Sequence, residues 1–198
     1  MKKLSAITTI VALVVAASAF ASTLKPSTGG SLPVDSRGFI HRWKLLEPVA
    51  VPGRLTETAV QEALQAHPLP ASPAWHEVDT QNYNVNLYHF AYGLSKPTSN
   101  VLFWVTTTIE SPREIANARL AIGSNAASRW WLNDEPVVAL NDDRQAVIDD
   151  GVSRRVTLRK GRNVIRAAII NGGGATDFCA RFLDAQDKPI QDLKVISQ

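Results

Sequence analysis

The 198-residue chain carries 21 Lys+Arg against 18 Asp+Glu, 45% hydrophobic residues and a single cysteine. That composition suits a globular domain with a sizeable core, and it excludes an intrachain disulfide and any zinc site built from several thiolates. Without Lys2 and Lys3 the balance is 19 basic to 18 acidic residues, and the one dense basic group (Arg154, Arg155, Arg159, Lys160, Arg162) surrounds a turn, so it reads as a solvated hairpin end and no nucleic-acid partner is expected.

Residues 1–21 have the form of a signal peptide. Lys2 and Lys3 give a positive start, residues 7–17 form an apolar run too short to span a bilayer comfortably, and Ala19-Phe20-Ala21 fits the small-x-small cleavage pattern. The expectation is an exported protein, periplasmic or extracellular, with no membrane insertion after cleavage. About 177 residues then remain, enough for one core. Residues 22–37, rich in Ser, Thr, Gly and Pro, read as a flexible N-terminal segment, and residues 38–198 as a single β-sandwich domain.

Residues 39–48 (FIHRWKLLEP) predict the first strand, with Arg42 and Lys44 on one face and Trp43 and Leu45 on the other. Residues 56–66 predict the one helix, with Thr58 and Gln61 as a capping box and Ala59, Val60, Ala63 and Leu64 as the apolar stripe; His67-Pro68 ends it. It is expected as an insertion packed on the sandwich. Alternation predicts further strands at 84–92, 101–109, 119–123, 128–133, 137–140, 146–148, 154–158, 163–171 and 178–183. Asp149-Asp150-Gly151 and Lys160-Gly161-Arg162 are turn signals, and Asn163 suits the neck of the second as a hairpin. Both faces of 163–171 are apolar, which predicts a central strand covered on each side, with the helix near Val60 as a candidate cover. Cys179 sits in an alternating run and reads as a small buried hydrophobe.

A strand ending in Ile122-Gly123-Ser124-Asn125, the Trp131-Leu132-Asn133 turn, the Leu158 to Asn163 hairpin pattern (L-x-K-G-x-N) and Phe178-Cys179-Ala180-Arg181-Phe182-Leu183-Asp184 together resemble a group of domains. These are the galactose-binding-like, jelly-roll accessory modules of bacterial polysaccharide-degrading enzymes, such as glycoside hydrolases and acetylxylan-esterase-type proteins. The resemblance is best over 119–193 and weaker over 39–108. It implies an all-β jelly-roll sandwich with one short helical insertion and a non-catalytic, carbohydrate-binding accessory role in polysaccharide utilisation. The chain departs from that family's pattern at Ser124 to Ser128, where an acidic loop is usual, and at Asn133-Asp134, where Asn-Gly is usual.

Trp131 is the foremost ligand candidate, because an aromatic ring on a sheet surface stacks on the C–H face of a pyranose while amides and carboxylates bond its hydroxyls. Asn133, Asp134 and Arg129 are its neighbours in sequence, and Asn171 with the glycines at 172–174 approaches from another strand. The competing reading buries Trp131 beneath the helix; Trp43, Trp104 and Trp130 read as core. Asp142, Asp143 and Asp149 offer oxygens for calcium in a spacing unlike an EF-hand, and turn chemistry explains the same residues. His76-Glu77 beside Trp75 forms a possible site edge, set against a plain surface histidine. No serine stands in a G-x-S-x-G elbow and no histidines have zinc-ligand spacing, so a small hydrolase is the third reading. The first is weak glycan binding through a surface aromatic and polar loops. The second is a periplasmic protein–protein or structural module with no sugar ligand.

Overall fold

The computed structural model describes residues 24–197. The expected signal peptide at 1–21 lies outside the described residues, among which no helix is long and apolar enough to cross a membrane. In chain order the first elements are β1 (Leu24–Pro26), β2 (Ser31–Pro33), β3 (Arg42–Leu45), β4 (Val49–Ala50), α1 (Glu57–Ala66) and β5 (His76–Thr80). Next come β6 (Val85–Asn86), α2 (Leu87–Gly93), β7 (Val101–Ser111), β8 (Ile115–Ser124), β9 (Ala127–Leu132) and β10 (Glu135–Leu140). The last are β11 (Gly151–Val152), β12 (Val156–Leu158), β13 (Gly161–Asn171), β14 (Asp177–Leu183) and β15 (Lys194–Ile196).

The fold is all-β, a sandwich of two antiparallel sheets. The ten-stranded sheet runs β1-β5-β3-β7-β13-β9-β10, with β4 and β15 also on β7 and β2 on β15; the five-stranded sheet runs β11-β8-β14-β6, with β12 on β8. Alternation sends one face of each strand inward. From the large sheet come Trp43, Phe103, Val105, Trp130 and Ile165, and from the small one Leu120, Ile122, Phe178 and Phe182, all fully buried. Trp43, Trp130 and Phe178 meet edge-to-face, with ring centroids 4.9 to 6.2 Å apart. That geometry sets the ring edges against the neighbouring π-faces at the sandwich centre.

The outer face of the large sheet is divided. Leu102, Trp104, Ala127, Ala168 and Ile170 form a second apolar cluster, roofed by Val60 and Ala63 of α1. The predicted cover for the central strand β13 is therefore in place, and its two neighbours are β7 and β9. Beyond the helix the same face carries polar side chains and is open.

Several expectations are corrected. The helix cap is Thr56, whose hydroxyl accepts from Ala59 N at 3.4 Å; Thr58 lies inside the helix. Residues 84–92 are not a strand: after the short β6, Asn86 caps α2 by accepting from His89 N at 2.7 Å, and Leu87, Phe90 and Ala91 bury one helical face. Residues 146–148 form no strand, and Arg144 beside them pairs with Asp150. The Lys160-Gly161-Arg162 turn is not a hairpin. Its flanking strands pair in different sheets, β12 with β8 and β13 with β7 and β9, so the turn is an arch joining the two layers. Within residues 22–37, expected to be flexible, β1 pairs with β5 and β2 with β15.

Candidate functional site: the open face of the large sheet

Strand pairing places a row of side chains straight across the open half of the large sheet. Glu77 is opposite Lys44, Lys44 opposite Thr106, Thr106 opposite Arg166, Arg166 opposite Trp131, and Trp131 opposite Pro136. Directly opposed residues share a face, so the six point to the same side. A depression of about 140 Å³ opens on this face, lined by Lys44, Trp75, Glu77, Thr106, Thr108 and Val164 among others. Val195 and Ile196 of the C-terminal strand line it as well.

The charges on this face are matched. Arg42 is 2% exposed and holds Asp79 by a fork, Nε to Oδ1 and Nη2 to Oδ2, the second at 2.8 Å. Its Nη1 donates to the carbonyls of Gly29 and Gly30, at 3.0 and 2.8 Å, which ties the N-terminal segment down. Arg166 pairs with Asp134 at 2.9 Å and lies 5.7 Å from the Trp131 ring centroid. Glu77 accepts from the Ser197 hydroxyl at 2.7 Å. Thr106 donates its hydroxyl proton to Ile165 O at 2.8 Å, which leaves its oxygen lone pairs facing outward as acceptors.

Trp131 is half-buried. Its ring meets Trp104 at 5.8 Å and packs at the edge of the cluster beneath α1. The ring is thus covered at the helix edge and exposed on the rest of its surface. Trp75, also half-buried, sits at the other end of the open face.

The other predicted ligand residues fare differently. Asp134 joins Trp131 through Arg166, and its side chain is 84% exposed. Asn133 lies at positive φ in the β9–β10 turn; its Oδ1 accepts from Val164 N at 2.9 Å and its Nδ2 donates to Asn163 Oδ1 at 3.1 Å. Asn163 closes the arch by donating to the carbonyls of Arg159 and Gly161 and accepting from Arg159 N. The W-x-N and K-G-x-N motifs are therefore one amide network that locks the turn to the arch. Arg129 donates to Ser128 O, Leu140 O and Asn141 Oδ1, and burial pulls its pKa down against the opposing pull of Glu57. Asn171 is 2% exposed and ties Thr98 O, Gly174 O and Gly173 N. Asn133, Arg129 and Asn171, like Asn163, each hold backbone in place.

Of the calcium candidates, Asp149 pairs with Arg181, and among the described residues no three His, Cys, Asp or Glu side chains gather at metal-binding range. Cys179 is buried, and burial pushes its thiol up to about 11. His76 faces Glu47 at 3.6 Å and packs edge-on to Phe90. One cluster joins residues far apart in the chain, with no local motif to mark it. His41 Nε2 faces Asp35 Oδ2 at 3.1 Å and its Nδ1 faces Thr80 Oγ1 at 3.1 Å. The Thr80 proton goes to Asn82 O at 2.6 Å, so the trio ties a loop and presents no activated hydroxyl. Thr106, Lys44 and Arg166 were also missed, because only register brings them together.

No protein-family profile matches the chain, and no curated protein matches it. Solved structures do show likenesses. A β-glucosidase from Kluyveromyces marxianus aligns at 16% identity with a TM-score of 0.44, over 76% of this chain and 17% of that one. An anti-sigma factor domain-containing protein from Clostridium clariflavum aligns at 9% identity and 0.43, over 78% and 45%. A PA14 sugar-binding domain from an RTX adhesin aligns at 14% identity and 0.38, over 78% and 74%. The chain thus spans less than half the length of the first two. A sugar-binding domain is among the structures this sandwich is similar to.

Proposed function

We propose that this chain is an exported, non-catalytic glycan-binding module whose ligand lies on the open face of the large sheet, against Trp131. The observation that carries the reading is the Trp131–Arg166–Asp134 group. A half-exposed indole packs beside Trp104, and the Arg166 guanidinium, paired with Asp134, lies over its ring. A packed ring loses little freedom when a sugar stacks on it, and the polar pair supplies donors and acceptors for hydroxyls. Thr106 and Glu77 extend the acceptor surface along the same row. The polar groups here are bonded in pairs and none is arranged as nucleophile and base, which favours binding over turnover.

The test is a glycan array of plant and bacterial polysaccharides probed with the mature chain, followed by calorimetric titration of the retained glycans. Binding in the micromolar to millimolar range is expected, falling at least tenfold in Trp131→Ala. The thermal melt of that variant, set beside the wild type, separates lost contact from lost fold. Retention of no glycan by the wild type rejects the reading in favour of a protein-binding module. Export is tested by expressing the full chain with its leader and determining the N-terminal residue of the product, which is expected to be Ser22.

A further inference from the structure

We infer that the open face takes an internal stretch of a neutral linear polysaccharide, laid across the strands from Trp75 to Trp131, and not a single or terminal sugar. This rests on the glycan reading above and specifies its ligand. Three observations carry it.

The first is direction. The row Glu77, Lys44, Thr106, Arg166 and Trp131 steps through β5, β3, β7, β13 and β9, one residue per strand. Adjacent strands lie about 4.8 Å apart, so the row is ~19 Å long. One strand spacing is close to the length of one pyranose in an extended chain. The row therefore offers a recurring contact at the pitch of a polysaccharide, far beyond the reach of one sugar.

The second is the placement of the aromatic rings. Trp75 is on the β5 side of the depression and Trp131 is on β9, at opposite ends of the row. Both rings pack at the edge of the apolar cluster beneath α1, with β3, β7 and β13 between their strands, and two rings so spaced bind cooperatively only a ligand long enough to reach both. The third is charge. Arg42 faces Asp79, Arg166 faces Asp134, and Lys44 stands opposite Glu77 in register. Each cation has a carboxylate beside it, so a uronate or sulfate gains no uncompensated positive site while it brings added repulsion from three carboxylates. Paired charges still present polar edges to neutral hydroxyls.

The experiment is calorimetric titration of the mature chain with neutral xylo-, cello- and laminari-oligosaccharides of two to six residues, with oligogalacturonides of equal length as the anionic series. Affinity is expected to rise at least tenfold from the disaccharide to the tetra- or pentasaccharide of the preferred series, then level off. Trp75→Ala and Trp131→Ala should each remove most of that gain, leaving the variants with a disaccharide-like affinity for the long ligand. Thr106→Val, nearly isosteric and at a half-exposed position, should weaken the long ligand several-fold with only the small fall in the thermal melt that loss of its bond to Ile165 O brings. A flat length series, or oligogalacturonides binding more tightly than neutral chains, overturns the inference and leaves glycan binding standing. Failure of every glycan on the array overturns the glycan reading itself.

Discussion

Replacing Asn163 by alanine removes the amide that joins the two turns. The side chain is fully buried and makes four hydrogen bonds. It donates to Arg159 O at 2.8 Å and Gly161 O at 3.1 Å, and accepts from Arg159 N at 3.0 Å and Asn133 Nδ2 at 3.1 Å. Each such bond contributes about 1 kcal/mol net, and a buried partner left unpaired costs more. Arg159 is exposed, so water recovers part of the loss at its backbone. The expected cost is about 3 kcal/mol, a large share of the ~5–15 kcal/mol that holds a domain folded. With a urea dependence of about 2 kcal/mol per molar, the unfolding midpoint should fall by about 1.5 M. Asn163→Asp should be no milder, because a carboxylate oxygen then faces the Arg159 and Gly161 carbonyls. A double-mutant cycle with Asn133→Ala isolates the contact between the motifs, with an expected coupling of ~1 kcal/mol. A loss below about 0.5 kcal/mol for Asn163→Ala, or strict additivity in the cycle, refutes the view that these amides form one structural lock.

Three further outcomes are expected from titratable groups that the fold shifts. Burial, only partly offset by His89, holds the Asp177 carboxyl above the usual range, and its Oδ1 has no partner. A raised folded pKa means the group favours folding at low pH and that advantage fades as pH rises through it; Asp177→Asn should therefore raise the urea midpoint at pH 7 and leave it unchanged near pH 3. Burial raises the Asp35 carboxyl, but the His41 contact and the amides of Phe39 and Arg37 outweigh it and leave it below the usual range. Its contribution is therefore present above the unfolded value near 4 and lost as pH falls through the folded one, so Asp35→Asn should flatten the acid limb of the melting-temperature profile. The Cys179 thiol, at about 11, should leave only about a thousandth as thiolate at pH 8, so a disulfide reagent should label it in denaturant and not in the native protein.

What could be read from the sequence follows the range of each signal. Side-chain period decides strands locally, so β7, β9 and β13 were legible, as was the covered position of β13 between two apolar layers. Residues 84–92 misled because Leu87, Phe90 and Ala91 satisfy a helical spacing inside an alternating string, and the deciding group is the Asn86 cap. The arch was read as a hairpin because Lys160-Gly161-Arg162 has the same turn chemistry in both cases; only pairing tells which sheet each flank joins.

The site shows the same division more sharply. Asn133 and Asn171 looked like recognition residues because an amide can bond either a ligand or a backbone, and buried backbone claimed them first. The outward direction of Trp131 was legible because β9 has an inward face already filled by Trp130 and Leu132, which leaves a second indole to the outside. Lys44, Thr106 and Arg166 were invisible, since each is the ordinary polar position of an alternating strand and only register aligns them. A slip of one residue in β3 would turn Lys44 into the core and break the row, so the row inherits its precision from the packing of Trp43 and Leu45 on the other side of the same strand.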